Sequence, residues 1–119
     1  MRKTAFRFVV PHIGFFLPYM LQRFSGVSGI LASLSMMEPV DAQREFERLY
    51  FDIAGHPEPV ALDMLLMVAD AEHIVYGSDF PHSPAQIVAM KKQHLEQNDK
   101  YRTLLQRIYH DNGTELSRL

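Results

Sequence analysis

The chain has 119 residues, enough for one domain or for part of one. Its composition, 47% hydrophobic and 22% charged, is typical of a globular protein, and its net charge of -2 gives no electrostatic reason to expect a nucleic acid or a membrane surface as partner. No apolar run approaches the roughly 20 residues of a membrane-spanning helix. The chain has no cysteine, which excludes disulfides and thiolate chemistry, and we expect a cytoplasmic location.

The first half of the chain is predicted to alternate strands with helices. Aromatic and β-branched residues near the start favour a strand that Pro11 stops, and Pro18 suits the first turn of a helix. Asp41 is a typical N-cap, and the segment 25–39 is compatible with a second helical stretch or with an irregular loop. The predicted elements are a strand over Phe6–Val10, a helix from Pro18 towards Gly26 and Gly29, a short helix from Asp41 through Arg48, and a strand over Leu49–Ala54.

The second half continues the same alternation. Apolar residues recur at helical spacing after Pro59, and Ser83 followed by Pro84 is the pattern of a helix cap and a first helical position. Asn112 followed by Gly113 is a stop signal. The predicted elements are a helix over Pro59–Ala69, a strand over His73–Gly77, a helix beginning at Ser83–Pro84, a last helix over Lys100–His110, and a short helical tail from Thr114.

Strands that alternate with helices predict a parallel sheet with right-handed crossovers, so the predicted fold class is α/β. Only three strands are predicted, and a parallel sheet of three strands has two open edges, whereas parallel sheets are normally covered on both faces. We therefore expect residues 1–119 to form a single partial domain of a larger architecture.

The segment 74–79 carries the strongest functional signal. A short apolar run ends in Gly77 and Ser78 and is followed by the carboxylate of Asp79, which places Asp79 at the C-terminal end of a buried strand. That end of parallel strands is where α/β proteins place their chemistry. Because a carboxylate there needs a metal, a cation or hydrogen bonds as compensation, Asp79 is a candidate metal ligand or general base. The alternative is that Asp79 only caps the following turn.

His12 follows the first strand as Asp79 follows the third. An imidazole at a strand end can ligate a metal or transfer a proton near neutral pH, and the alternative is a loop histidine held by hydrogen bonds. Because the C-terminal ends of parallel strands meet at one edge of the sheet, we expect His12 and Asp79 to converge on one site.

Three further residues are weaker candidates. Arg23 lies eleven residues after His12 and either binds a substrate carboxylate or is an exposed helix arginine. Asp52, inside the second strand, is expected to have a structural role with a backbone or arginine partner. His56 follows the end of that strand.

These segments together resemble the amidohydrolase-related (amidohydrolase 2) family of decarboxylases and hydrolases, and within it the aminocarboxymuconate-semialdehyde decarboxylase type. Four segments carry the resemblance in the family's order, and Gly-Ser-Asp-Phe-Pro is the most specific part. They are Pro11–Tyr19 with Arg23, Leu49–Gly55, Ile74–Pro81 and Ile108–Leu116, which are similar to the sixth, seventh and eighth strands and the closing helix of that family.

The resemblance implies a metal-dependent (β/α)8 TIM barrel, of which this chain is the C-terminal portion with about three βα units. It implies that Asp79 binds a divalent metal, zinc or alternatively manganese, and orients or deprotonates the bound water. It also implies that His12 lies close to the metal and handles a proton, and that Arg23 reaches a substrate carboxylate across a homodimer interface.

The ligands that the family takes from its first and fifth strands have no counterpart in this chain, and one aspartate with one histidine is too few for tight zinc binding. We therefore expect metal binding to be weak or absent and the chain alone to be incomplete as an enzyme. The intact enzyme is expected to decarboxylate an unsaturated or aromatic carboxylic acid, or alternatively to hydrolyse a lactone or amide.

The expected partners are the small-molecule carboxylic acid, and either further copies of the chain or a missing N-terminal barrel half. A second interpretation is not an enzyme. In this alternative the chain is a catalytically inactive barrel fragment that oligomerises through its open edges and through the aromatic patch of Phe15 and Phe16.

Overall fold

The computed structural model of the chain describes residues 6–55 and 59–118. Three parallel strands form one sheet in the order β1-β2-β3, and helices follow each strand, as the alternation in the sequence predicts. The elements are β1 Val9–Val10, α1 Leu17–Ser33, α2 Ala42–Glu47, β2 Tyr50–Asp52, α3 Pro59–Val68, β3 Ile74–Val75, α4 Ala85–Gln97, α5 Arg102–Gln106 and α6 Asn112–Ser117. The protein is therefore a partial α/β unit.

The central strand β2 forms the middle of the hydrophobic core. Phe51 of this strand has no exposed surface, and its ring stacks on Phe46 of α2 with 5.2 Å between the ring centroids. A central strand of a parallel sheet is covered on both faces, so its side chains are buried. The core around it consists of Ile13, Leu21, Phe46, Ile53, Leu62, Leu65, Ile74, Leu95, Tyr101 and Ile108.

Two helices depart from the sequence prediction in length. Helix α1 continues through Gly26 and Gly29 to Ser33, because glycine weakens a helix by about 1 kcal/mol without breaking it. The stop predicted at Asn112 and Gly113 is wrong, since the π-helical segment Arg107–Asp111 joins α5 to α6. No helix within the described ranges is both long enough and apolar enough to cross a bilayer.

Asn112 shows why the last helix does not stop there. Its buried side chain donates hydrogen bonds to the backbone oxygens of Ala71 at 2.9 Å and of Ile74 at 2.7 Å. A polar side chain that is buried in this way needs such partners. Asn112 therefore ties the closing helix to β3 rather than starting a turn.

The same contact changes one edge of the sheet. The Val75 oxygen accepts a hydrogen bond from the Ile53 amide, so the neighbouring groups of Ile74 and Tyr76 point away from β2. The Ile74 oxygen accepts from Asn112, and the Tyr76 amide donates to the Ile108 oxygen at 2.9 Å. The expectation of an open edge at β3 is thus wrong, because the closing helix supplies these hydrogen bonds.

At the opposite edge, β1, no described residue provides comparable hydrogen bonds to the outward-facing backbone groups. The Tyr50 amide donates to the Phe8 oxygen at 2.9 Å, which turns the amide and carbonyl of Val9 away from β2. Val9 is 42% exposed, and Phe6 and Phe8 beside it are exposed as well. The two edges of the sheet therefore differ in chemistry.

An ionic contact fixes α3 to the start of the C-terminal helices. One oxygen of the Asp63 carboxylate accepts a hydrogen bond from the Lys100 ammonium at 2.6 Å. The other oxygen accepts one from the Tyr101 hydroxyl, also at 2.6 Å. The hydrogen bond from Lys100, followed by that from Tyr101, holds the pKa of Asp63 below its ordinary value. Burial, together with the bond to Asp63, raises the pKa of Tyr101.

Candidate functional site

The chain turns sharply where β1 ends, and His12 lies in that turn. The backbone φ angles of His12, Ile13, Gly14 and Phe15 are 52°, 59°, 77° and 53°, all in the left-handed region. Each non-glycine residue in this region costs roughly 1–2 kcal/mol, so the surrounding structure has to hold the turn.

Asp52 holds this turn from the neighbouring strand. Its Oδ1 atom accepts hydrogen bonds from the His12 amide at 2.9 Å and from the Ala54 amide at 3.0 Å. A carboxylate that accepts from backbone amides forms stronger hydrogen bonds than a neutral acceptor does. The predicted structural role of Asp52, with a backbone partner, is confirmed.

Gly55 and Gly77 leave space for the His12 imidazole and the Asp52 carboxylate. A Cβ atom on Gly55 would lie 3.0 Å from His12 Nδ1, and the φ angle of Gly55 is +85°. A Cβ atom on Gly77 would lie 3.2 Å from the Cγ atom of Asp52. Larger residues at these positions would displace the imidazole or the carboxylate that holds it.

The structure brings His12 and Asp79 together, as their places at the ends of parallel strands predict. Asp79 follows β3 in a left-handed conformation with a φ angle of 63°. Its Oδ1 atom lies 3.9 Å from His12 Nε2, and the two side chains are 26% and 39% exposed. An imidazole and a carboxylate thus lie close together at the C-terminal edge of the sheet, within reach of solvent.

Ser83 is the residue of this site that the sequence analysis missed. Its buried hydroxyl donates to Asp79 Oδ2 at 3.1 Å, and its amide donates to the Asp79 carbonyl at 2.8 Å. The prediction that Ser83 caps α4 is wrong, because Pro84 occupies the cap position and no side chain caps the helix there. The spacing of four residues between Asp79 and Ser83 is the signal that would have indicated this contact.

An open cavity of about 630 Å³ adjoins His12. Its volume is in the range of small-molecule pockets, and its walls are largely apolar. Such a cavity can accept the ring of an aromatic ligand, with the imidazole as a polar group at its wall. The cavity is lined by His12, Ile13, Phe15, Pro18, Tyr19, Ala54, Gly55, Val60, Ala61 and Met64.

The remaining candidates lie outside this cluster. Arg23 is exposed on α1, four residues after Tyr19, and therefore on the same helix face but one turn beyond the cavity wall. His56 belongs to the segment 56–58, outside the described residues.

The pair fits part of a metal site. An imidazole nitrogen and a carboxylate oxygen are suitable donors for zinc or manganese. Their separation of 3.9 Å is within about 1 Å of the span between two ligands that each lie ~2.1 Å from one ion. Among residues 6–55 and 59–118, however, no group of three or more His, Cys, Asp or Glu side chains could hold a metal ion. The described residues therefore supply two ligands of a site that needs at least three.

Comparison with known proteins identifies related sequences along the whole chain. The protein-family model described as amidohydrolase matches residues 1–119. The 6-methylsalicylic acid decarboxylase of Penicillium expansum is 33% identical over 93 residues, which cover 76% of this chain and 28% of that protein. The chain thus spans less than a third of the length of this relative.

Solved structures share the fold of the chain. The crystal structure of an amidohydrolase II has a TM-score of 0.81 at 29% identity and covers 92% of this chain and 34% of its own. The 5-carboxyvanillate decarboxylase of Novosphingobium aromaticivorans, complexed with manganese and 4-hydroxy-3-methoxy-5-nitrobenzoic acid, has a TM-score of 0.80 at 18% identity. The match covers 95% of this chain and 33% of that one, and at this identity it shows a common fold alone.

Proposed function

Because the chain belongs to the amidohydrolase family, we propose that it is part of a metal-dependent enzyme that decarboxylates an aromatic carboxylic acid. The observation that carries the proposal is the approach of His12 Nε2 and Asp79 Oδ1 to 3.9 Å at the C-terminal ends of parallel strands. The apolar cavity beside His12 suits an aromatic ring. The similarity to a 6-methylsalicylic acid decarboxylase supports this substrate class.

We further propose that residues 1–119 form one partial domain, the last three βα units of a (β/α)8 barrel. Three parallel strands with intervening helices, and matches to about a third of each solved chain (34% and 33%), support this assignment. In the complete barrel, strands outside this chain would provide the missing ligands and the other walls of the cavity.

In the proposed reaction, the ring carbon that bears the carboxylate gains a proton, and the carboxylate leaves as CO2. The electron pair of the broken C–C bond returns to the ring. His12 provides the proton, because its imidazole lies at the cavity wall and an imidazole can act as a general acid. Asp79, with His12 beside it, would hold the divalent ion, and the ion would supply polarisation of the oxygen atoms of the substrate.

The metal in this proposal is zinc or manganese. Both accept imidazole and carboxylate donors, and the manganese in the 5-carboxyvanillate decarboxylase structure supports the second choice. Hydrolysis of a lactone or an amide by the same residues is the alternative reaction. Arg23 is exposed and does not line the cavity of this chain. We propose that its guanidinium contacts a substrate carboxylate when several chains assemble.

A titration with Mn²⁺, followed by electron paramagnetic resonance of the free ion, tests the metal site. We expect the chain to bind Mn²⁺ weakly, with a Kd on the order of 1 mM or somewhat below, because only two ligands are present. Asp79→Asn and His12→Gln should each weaken binding at least about tenfold. His82→Ala changes an exposed neighbouring imidazole and serves as the control. Equal binding by all four proteins would refute a metal site at His12 and Asp79.

A second candidate function is that of an associating module without catalysis. Exposed apolar side chains recur on α1 and after it, at Phe24, Val27, Ile30 and Leu34, which lie on neighbouring turns. Such a surface favours association with a second copy or with another barrel segment. Sedimentation velocity separates the two candidates in combination with the Mn²⁺ titration. A chain that self-associates and binds no Mn²⁺ supports the module, whereas site-dependent Mn²⁺ binding supports the enzyme.

A further inference from the structure

Ser83 contacts Asp79 through both its backbone and its side chain. The amide of Ser83 donates to the Asp79 carbonyl at 2.8 Å, which closes the loop between the two residues. The hydroxyl of Ser83 donates to Asp79 Oδ2 at 3.1 Å, and only 9% of the residue is exposed. Water therefore has little access to this hydroxyl, so Asp79 Oδ2 has a fixed partner.

The two oxygens of the Asp79 carboxylate consequently have different surroundings. Oδ2 accepts from Ser83, whereas Oδ1 points towards His12 Nε2 at 3.9 Å. The backbone of Asp79 is itself in the left-handed region, with a φ angle of 63°, so its side-chain direction differs from that of an ordinary strand residue. The contact with Ser83 thus engages one carboxylate oxygen and leaves the other directed at His12.

Lys91 of α4 lies beside the Ser83 hydroxyl and favours one direction for its proton. Its Nζ atom lies 3.5 Å from Ser83 Oγ. An ammonium group only donates hydrogen bonds, and a hydroxyl has one proton to donate. The oxygen of Ser83 therefore accepts from Lys91, and its single proton remains for Asp79. The contact at 3.5 Å is long, so Lys91 contributes less than the hydroxyl itself.

We propose that Ser83 is a positioning residue, which holds Asp79 in the one rotamer that presents Oδ1 to His12, and that Lys91 supports it by orienting its hydroxyl. This inference rests on the proposed function in that Asp79 is taken to face the metal. It adds that the carboxylate is fixed before any metal binds. Partners that orient a metal-binding carboxylate typically change metal affinity by 10–100-fold.

Three-bond NMR couplings between the Asp79 Cγ atom and the backbone nitrogen and carbonyl carbon measure the χ1 rotamer directly. In the metal-free chain, we expect one dominant rotamer in the unmodified protein and in Ser83→Thr, which keeps the hydroxyl. In Ser83→Ala the population of that rotamer should fall to about half or less, as the other staggered positions become accessible. Lys91→Met should give an intermediate value. His82→Ala, next to Ser83 and exposed, is the matched control and should leave the couplings unchanged.

The folded state of each variant is verified from its amide spectrum, so that a loss of stability is not mistaken for a change of rotamer. If Ser83 had only a structural role, Ser83→Ala would lower the stability and leave the Asp79 couplings of the folded protein unchanged. Unchanged couplings in folded Ser83→Ala would overturn the inference. Averaged couplings already present in the unmodified chain would overturn it as well.

The same proteins separate this inference from the proposed metal site. If the chain binds Mn²⁺, Ser83→Ala should weaken binding about tenfold or more, and Ser83→Thr should restore it. Mn²⁺ binding that depends on Asp79 but not on Ser83 would refute the positioning role and leave the metal site intact. A chain that binds no Mn²⁺ but shows a fixed Asp79 rotamer lost in Ser83→Ala would support the positioning role and show that this chain alone holds no metal.

Discussion

Replacement of Asp52 by alanine should destabilise the protein more than removal of an exposed helix-capping carboxylate does. Asp52 Oδ1 accepts hydrogen bonds from the His12 and Ala54 amides at 2.9 and 3.0 Å. Hydrogen bonds to a charged group contribute about 1.5–3 kcal/mol each, and partial exposure places these at the lower end. Asp52→Ala should therefore lower the free energy of unfolding by about 3 kcal/mol, a large part of the 5–15 kcal/mol typical of a domain.

Urea-induced unfolding, followed by far-ultraviolet circular dichroism, measures this loss. With a slope of about 1.5 kcal/mol per molar urea, the midpoint of Asp52→Ala should fall by about 2 M. Asp41→Ala is the matched control, because Asp41 Oδ1 accepts from one exposed amide, that of Arg44, at 3.1 Å. Loss of this cap should lower the free energy of unfolding by about 1 kcal/mol. The reasoning is refuted if Asp52→Ala lowers the midpoint no more than Asp41→Ala does.

Two further predictions concern the C-terminal helices. Asn112→Ala leaves the carbonyls of Ala71 and Ile74 without their donor and should lower the free energy of unfolding by about 2–4 kcal/mol in the same urea assay. Asn98→Ala removes one exposed acceptor and should lower it by less than about 1 kcal/mol. Equal effects would contradict the assigned role of Asn112. Lys100 holds the pKa of Asp63 below its ordinary value of 3.8. Ionised Asp63 therefore stabilises the folded state above about pH 4. This stabilisation is lost as the pH falls through the lowered pKa of the folded state. As the pH falls below about 4, the unmodified chain should therefore lose stability more steeply than Asp63→Asn does. Parallel stability curves would show that the contact does not contribute.

The order of the elements and the meeting of His12 with Asp79 were predictable, because both follow from the alternation of strands and helices. Parallel strands place their C-terminal ends at one edge, and the two residues follow their strands directly. Only the proximity of the two side chains follows from the coordinates; their roles in catalysis and metal binding stay predictions.

The contacts of Ser83 and Asn112 were not predictable from local patterns. Serine before proline is a common helix start, and asparagine before glycine is a common stop. In this fold each side chain has a stronger tertiary partner, the Asp79 carboxylate for Ser83 and the carbonyls at β3 for Asn112. Local propensity gives the preference of an isolated segment, and buried hydrogen bonds override it.

The left-handed turn at His12 also escaped the sequence analysis, because its cause lies 40 residues away in Asp52. Ile13, a β-branched residue with a φ angle of 59°, would not be placed in such a turn by propensity. The pattern indicated where the site lies, whereas the conformation of its residues depends on the neighbouring strand.

The difference between the two edges of the sheet limits how copies of this chain can join. A strand added beside β3 would have to replace the hydrogen bond that Asn112 donates to Ile74 and the one that Tyr76 donates to Ile108. Among the described residues, the outward-facing groups of Val9 at β1 require no such exchange. Closure of the proposed barrel beside β3 would therefore require these hydrogen bonds to be exchanged for those of a new strand, whereas a strand that pairs with β1 would meet backbone groups that already face outward.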